Sequence, residues 1–473
     1  MDLDRLFNPS ALAVIGASAD LRKTGARFLK SLVDGGYKGR LYPVNPNESS
    51  ILGLPVCHSV NDLPEGLDVA IVTVPSAAVP GVIAECSRRG VRFVVVHSAG
   101  FAELGPDGKR LEAEMLANAG PGKTRVIGPN CMGLYVPGAH INTVVEGLGL
   151  EPGGLAFVGQ SGWATENVID MGYERGLRFS KVVSIGNQSD LTIEDVLEYL
   201  AGDNETRAIG LYIEGLKRGR DFVRVAKQAS MRKPVIVWKA GRTQTGVRAA
   251  ASHTGSLAGN VAVFAAATAQ TGAIAAHGLD ELLDMMVAFA SPVLPAGKRV
   301  ALLVEAGGGA VSGSDAAESL GLEVPTFSAG VQQELLRVLE GALPPFAPPR
   351  NPVDLVWPTK NAAAIILHCA RTMLTEADSL MMLNYQRWDE RFVASMVRLR
   401  DEAAKPVFIV PGQPVQRRAG MGELTRSGIP TFVTPEQAIR CLAAACRYVN
   451  WTRTQVESGP PGPASRRSSR KGR

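Results

Sequence analysis

Strand-length apolar runs that stop at glycine or proline recur along the whole chain, and no other feature restricts its fold as much. "ALAVIGAS", "DVAIVTVP", "RFVVVHSAG" and "TRVIGPN" come first. The pattern restarts at "GGLAFVGQSG" and continues through "RAIGLYIEG" and "KPVIVWKAGR". It restarts again at "KRVALLVEAGGG", followed by "SLMMLNY", "KPVFIVPG" and "IPTFVTP". Several runs hold no polar residue, as expected of parallel strands buried on both faces. Helix-length amphipathic stretches such as "AVPGVIAECSRRG" and "LEAEMLANAG" lie between them. This alternation is βαβ, and it predicts three consecutive α/β domains at 1–130, 131–292 and 297–450. Gly- and Pro-rich stretches at 136–154 and 290–298 are the expected seams.

Composition removes other classes. A chain of 473 residues suits about three domains of ~100–200 residues each. With 45% hydrophobic and 20% charged residues it is not a disordered chain. No apolar run reaches the ~18–20 residues of a membrane span. "MDLDRLFNPS" lacks the apolar core of a signal peptide, so a cytoplasmic protein with no membrane association is expected. The six cysteines form no CxxC pair and no His/Asp/Glu group has metal spacing, which predicts reduced thiols and no metal site. Residues 453–473 carry six Lys/Arg and one Glu, so the tail accounts for the whole net charge of +5. Its Pro, Gly and Ser content predicts a disordered basic tail, and the neutral body gives no expectation of a nucleic-acid partner.

The first strand–helix turn reads "VIGASADLRKTG". Gly16 lets a phosphate approach the backbone, and a following helix start favours negative charge. The next glycine is Gly25, so the turn is not GxGxxG and a dinucleotide is disfavoured. "YPVNP", "VPSAAVP", "SAGF" and "GPNCMG" follow at successive strand ends, which face one crevice in an open parallel sheet. They suggest an extended ligand carrying phosphates.

Taken together, "IGAS", "YPVNP", "SAGF.E" and "GPNC.G" resemble the CoA-binding domain of the NDP-forming acyl-CoA synthetases, the superfamily that includes succinyl-CoA synthetase. The nearer pattern is the α subunit of ADP-forming acetate–CoA ligase, over about residues 1–450. The resemblance implies a Rossmann-like CoA-binding domain followed by two flavodoxin-like domains. It implies a CoA site lined by Gly16, Ser18, Lys23, Asn45, Pro46, Pro75, Ser98, Gly100 and Asn130. Lys23 suits phosphate as a point charge. Cys131 reads as a small packing residue beside the pantetheine path.

"GGLAFVGQSGWATEN" opens the second domain. It is not the G-x-S-x-G of a hydrolase elbow, because Gly162 directly follows Ser161. The amides of a helix start there suit an oxyanion or phosphate. "VEAGGGAVSGS" repeats the design with Gly307, Gly308 and Gly309, and two such helix starts could converge on one doubly charged group.

"AAASHTGSLAGN" places His253 among small residues. Read alone, it is either a solvated loop histidine or an unhindered nucleophile. SHTG followed by LAG resembles the phosphohistidine loop of the same superfamily, which implies that His253 carries a phosphoryl group. Glu214 of "LYIEGLKRG" is implied to hydrogen-bond that imidazole; the lesser alternative is an ordinary strand-end acid paired with Lys217 or Arg218. His58, His97, His140, His277 and His368 are expected to be structural or exposed.

The resemblance implies a carboxylic acid, CoA and ATP as substrates, with acyl-CoA, ADP and phosphate as products. No GxxxxGK[ST] is present, so ATP/ADP and Mg are expected on a separate ATP-grasp β subunit, in a hetero-oligomer or homodimer. Two departures stand out. Glu305 replaces the family's Asn before the glycines, and Trp163 in "WATEN" is expected to reshape the acyl pocket. A catalytically inactive CoA-binding regulatory or scaffold protein is the alternative, and a CoA-dependent transferase the third reading.

Overall fold

A computed structural model of the chain describes residues 2–120, 124–248, 260–340, 349–356, 362–385, 389–412 and 414–458. His253 lies outside the described residues, as does the tail beyond Ser458.

The apolar runs become strands of three sheets, except "IPTFVTP", which forms only a single parallel bridge from Thr431 to Ile409. The first sheet has five parallel strands in the order 40–44, 11–15, 69–72, 93–96, 125–127. The second has seven, in the order 274–276, 235–239, 208–213, 155–159, 179–184, 133–136, 141–142. Its last two strands are antiparallel to their neighbours. The third has four parallel strands in the order 353–354, 300–304, 379–385, 407–411. In the first two sheets the opening strand sits inside the sheet, with later strands added on both sides. Each therefore has a topological switch point, where a crevice opens at the carboxyl ends of the strands.

The sheets share their cores. One apolar cluster runs from Leu12, Val14 and Phe93 to Val158, Ile209 and Leu211. Another joins Phe157 and Phe179 to Val300, Met381 and Phe408. The first two sheets are also locked together by polar contacts. Arg125 donates two bonds of 2.8 Å to Asp190, and the Val126 amide donates to the same carboxylate at 2.8 Å. Two further amides, of Asn187 and Ser189, donate to the carbonyls of Pro129 and Gly128, both at 3.0 Å. Gly186 sits there at φ +53°, where a Cβ would lie 2.2 Å from the Pro129 oxygen.

Two expectations change. The stretch 136–154 is more than a seam, because Ile141–Asn142 adds an antiparallel strand to the second sheet. The helix Pro435–Ser458 runs on through residues 453–458, so the expected tail does not begin at 453. Arg453 is held there by a 3.0 Å bond to the Ala296 carbonyl. Among the described residues no helix is long and apolar enough to cross a membrane.

Candidate active site

The first crevice opens between the ends of Ala11–Ile15 and Val69–Val72. Gly16 has φ +90°, and Thr73 donates to the Ile15 carbonyl at 3.0 Å, tying the two strand ends together. Asn45 reaches across from the neighbouring strand and donates to the Ala17 carbonyl at 2.7 Å. Buried Ser18 accepts from the Asp20 amide at 3.2 Å. Exposed Lys23 stands at the start of the helix Thr24–Asp34, and Pro46 and Pro75 are exposed on neighbouring loops. Ser98 donates to the Val74 carbonyl. Gly100, at φ +113°, is held by Glu103, whose carboxylate accepts from the amides of Gly100 and Phe101 at 2.6 and 3.0 Å. The structure thus brings the predicted turn residues to one end of one sheet.

The second switch point lies between Leu155–Gly159 and Ala208–Ile213. Here the residues after one strand grip those after the other. Gln160 accepts from the amides of Glu214 and Gly215. Ser161 caps the helix Gly162–Glu174, its hydroxyl accepting from the Ala164 amide at 3.3 Å. A Cβ on Gly162 would meet the Met132 side chain at 2.8 Å, so the glycine lets that residue close one wall. Buried Gln188, in the left-handed region at φ +53°, donates to the Gly215 carbonyl at 3.3 Å.

A cavity of about 660 Å³ opens between the ends of the two sheets; Gly16, Ser18, Lys23, Asn45, Pro46, Pro75 and Gly100 do not line it. Ser98 and Asn130 reach it from the first sheet, and Ser161, Gly162 and Glu214 from the second. Glu214 is 9% exposed. The Tyr212 hydroxyl hydrogen-bonds its carboxylate, and burial together with that negative charge pushes the phenol pKa up. Lys239, also buried, donates to the Glu214 carbonyl at 2.8 Å; burial lowers its pKa while Glu214 opposes the shift. Arg218 turns away to Asp195, at 2.8 Å. Cys131 is 3% exposed and its thiol, pushed up to about 12 by burial, donates to the Val96 carbonyl. It is a packing residue, not a nucleophile.

Comparison with known proteins agrees with this geometry. The family of CoA binding domains matches residues 10–137, and that of succinyl-CoA ligase like flavodoxin domains matches 152–289. The chain is 42% identical over 442 residues to the α subunit of ADP-forming acetate–CoA ligase II of Pyrococcus furiosus, covering 92% of this chain and 95% of that one. The chain belongs to the ADP-forming acyl-CoA synthetase family. It is therefore an acid–thiol ligase subunit by descent. ADP-forming acetate–CoA ligase I of Archaeoglobus fulgidus is 37% identical over 94% of this chain but 64% of its own length. The dinucleotide-forming acetyl-coenzyme A synthetase 1 of Ca. Korarchaeum cryptofilum, solved with phosphate and ADP, superposes with a TM-score of 0.86 at 34% identity. It covers 97% of this chain and 99% of that chain.

In this synthetase the third helix start is set apart. Gly307, Gly308 and Gly309 open the helix Gly307–Ser319 but do not line the cavity with Ser161. A Cβ on Gly307 would lie 3.3 Å from an Asp354 carboxylate oxygen, and Glu305 is buried two residues before it. Two acids beside one helix start work against an anion there. Trp163 does line the cavity; it is 59% exposed and packs edge-on against Trp238, which packs edge-on against Tyr212. Sequence reasoning assigns no site role to several residues found here: Gln160, Asn187, Gln188, Lys239 and His97. Among the described residues no three His, Cys, Asp or Glu side chains gather as a metal cluster.

Proposed function

We propose that this α subunit joins a small carboxylic acid to CoA while ATP becomes ADP and phosphate, through an acyl phosphate and a phosphoryl group carried by His253. The observation that carries the reading is one cavity shared by Ser98 and Asn130 of the proposed CoA site, the Ser161–Gly162 helix start and Glu214. CoA lies along the turns at Gly16, Asn45, Pro75 and Ser98, with Lys23 near its phosphates. The helix start offers unpaired amides and a positive dipole end to the phosphoryl group. Glu214 supports the imidazole as it gains positive charge during phosphoryl transfer. ATP, ADP and Mg²⁺ sit on a separate ATP-grasp subunit, in a cytoplasmic hetero-oligomer. The α-subunit relatives and the longer single-chain one support that division of labour.

The test is a coupled assay of the α chain with its nucleotide-binding partner, acid, CoA and ATP. ADP, phosphate and acyl-CoA are expected in equal amounts. AMP and pyrophosphate in their place, or no CoA-dependent turnover, would refute the reading. Glu214→Gln keeps volume and removes charge, so the fold should survive while phosphorylation of the chain slows by about 10²-fold. A wild-type rate in that variant would return Glu214 to an ordinary strand-end residue.

A further inference from the structure

His97 was expected to be structural or exposed. Instead it lines the 660 Å³ cavity and also a neighbouring cavity of about 500 Å³, which runs between the helix Thr24–Asp34 and residues 142–146. Met132 is common to both. His97 thus stands at the neck between the helix that starts the CoA crevice and the chamber that holds Ser161 and Glu214.

Its tautomer is fixed by the backbone. Nδ1 lies 2.7 Å from the Cys131 carbonyl oxygen, which can only accept, so Nδ1 carries the hydrogen. The ring packs edge-on against Phe28, with centroids 5.0 Å apart. Nε2 is then the acceptor of a neutral ring whose orientation is held on two sides.

We propose that His97 is a catalytic base of the thioester-forming step, taking the proton of the CoA thiol through Nε2. This rests on the ligase reading above. The thiol S–H breaks and its proton passes to Nε2. The sulfur electron pair attacks the acyl carbon of the acyl phosphate, and the C–O bond to the phosphoryl group breaks. The released phosphate takes the proton from the ring, so atoms and charge balance with no further reactant.

A base here must be neutral at physiological pH, and its surroundings favour that. Burial lowers the His97 pKa, the Cys131 carbonyl opposes the shift, and Arg27 of the neighbouring helix lowers it further. The other charged groups around the two cavities are Glu146, Glu166, Glu214 and Lys217.

The test uses the full chain and acetyl phosphate as probe. Without CoA, its phosphoryl group should label the chain; with CoA, acetyl-CoA should form. His97→Asn keeps a side-chain donor for the Cys131 carbonyl but supplies no base. It should label like wild type and bind CoA with unchanged affinity, while acetyl-CoA formation falls about 10²–10⁴-fold. Its rate should climb with pH towards the ordinary thiol range, about 8.5, as the thiolate forms unaided. Wild type should lose activity only below the usual histidine range, about 6.5. His97→Phe should lose transfer as well, with weaker CoA binding because the donor is gone. Transfer at wild-type rate with a wild-type pH profile in His97→Asn would overturn the proposal. So would equal loss of labelling and transfer, which marks a structural residue. A wild-type chain that neither labels nor forms acetyl-CoA refutes the ligase reading itself, and this inference with it.

Discussion

His253→Ala is expected to abolish phosphorylation of the chain and leave CoA binding intact. Given acyl-CoA and inorganic phosphate, the wild-type chain should acquire an acid-labile, base-stable label on the peptide "AAASHTGSLAGN". That lability belongs to a phosphoramidate and separates it from phosphoserine. With the nucleophile gone, overall turnover should drop by about 10⁴-fold or more, as when the nucleophile of a covalent mechanism is removed. CoA affinity should hold because the proposed CoA crevice is built by Gly16, Thr73 and Ser98 at the end of the first sheet. Residue 253, in contrast, falls between the strand Val235–Lys239 and the helix Val261–Thr271. His253→Asp should not rescue the reaction, since a carboxylate does not supply the neutral imidazole nucleophile that the proposed transfer uses. Mass mapping and a CoA titration of the same preparations decide the matter. A label that persists in His253→Ala, or maps to Ser161, would sink the mechanism. Ser161 already uses its hydroxyl to cap a helix at Ala164, at 3.3 Å.

The apolar runs told most about the fold, because a strand buried on both faces leaves an uninterrupted signal. "ALAVI" is the strand Ala11–Ile15, and "LAFVG" is Leu155–Gly159. Ile141–Asn142 is not legible as a strand because two residues show no periodicity, and the flanking glycines read as a linker. The sharing of cores between sheets was also hidden, since a run such as Leu155–Gly159 does not say what covers either face. At the candidate site, positions set by one turn alone were legible: Gly16 at a strand end, Ser161 before a helix. Residues that act across the sheet were not. Gln160 matters because Glu214 and Gly215 follow the adjacent strand, and adjacency depends on strand order. His97 stayed hidden for the same reason, as its partners Phe28 and Cys131 come from distant segments. The helix start at Gly307 raises a similar point. Glycines at 307–309 were visible, while the approach of Asp354 was not.

Gly25→Ala and Gly81→Ala are expected to change stability in opposite directions, although both place an alanine in a helix of the first unit. An alanine is ordinarily better than glycine inside a helix by up to about 1 kcal/mol. Gly81, in the helix Val79–Arg88, has nothing within 4 Å of where its Cβ would stand, so that gain should appear nearly in full. Gly25 lies in the first turn of the helix Thr24–Asp34, and a Cβ there would lie 2.1 Å from the Gly16 carbonyl oxygen and 2.7 Å from Thr73 Oγ1. Both obstacles are fixed: one is backbone, and the other is tied to the Ile15 carbonyl at 3.0 Å. The helix start must retreat, at a cost of about 1–3 kcal/mol for overpacking, which exceeds the propensity gain. Gly25 thus does what a glycine does where a helix start packs tightly against a strand end, without the GxGxxG spacing that would have announced it. Because the same movement displaces the turn at Gly16, CoA affinity should fall by about tenfold or more, equivalent to about 1.4 kcal/mol. Denaturant midpoints and a CoA titration on the two variants read both effects. If Gly25→Ala matches Gly81→Ala in stability and binds CoA like wild type, the contact between this helix and the turn does not hold the crevice, and the proposed CoA site must be redrawn.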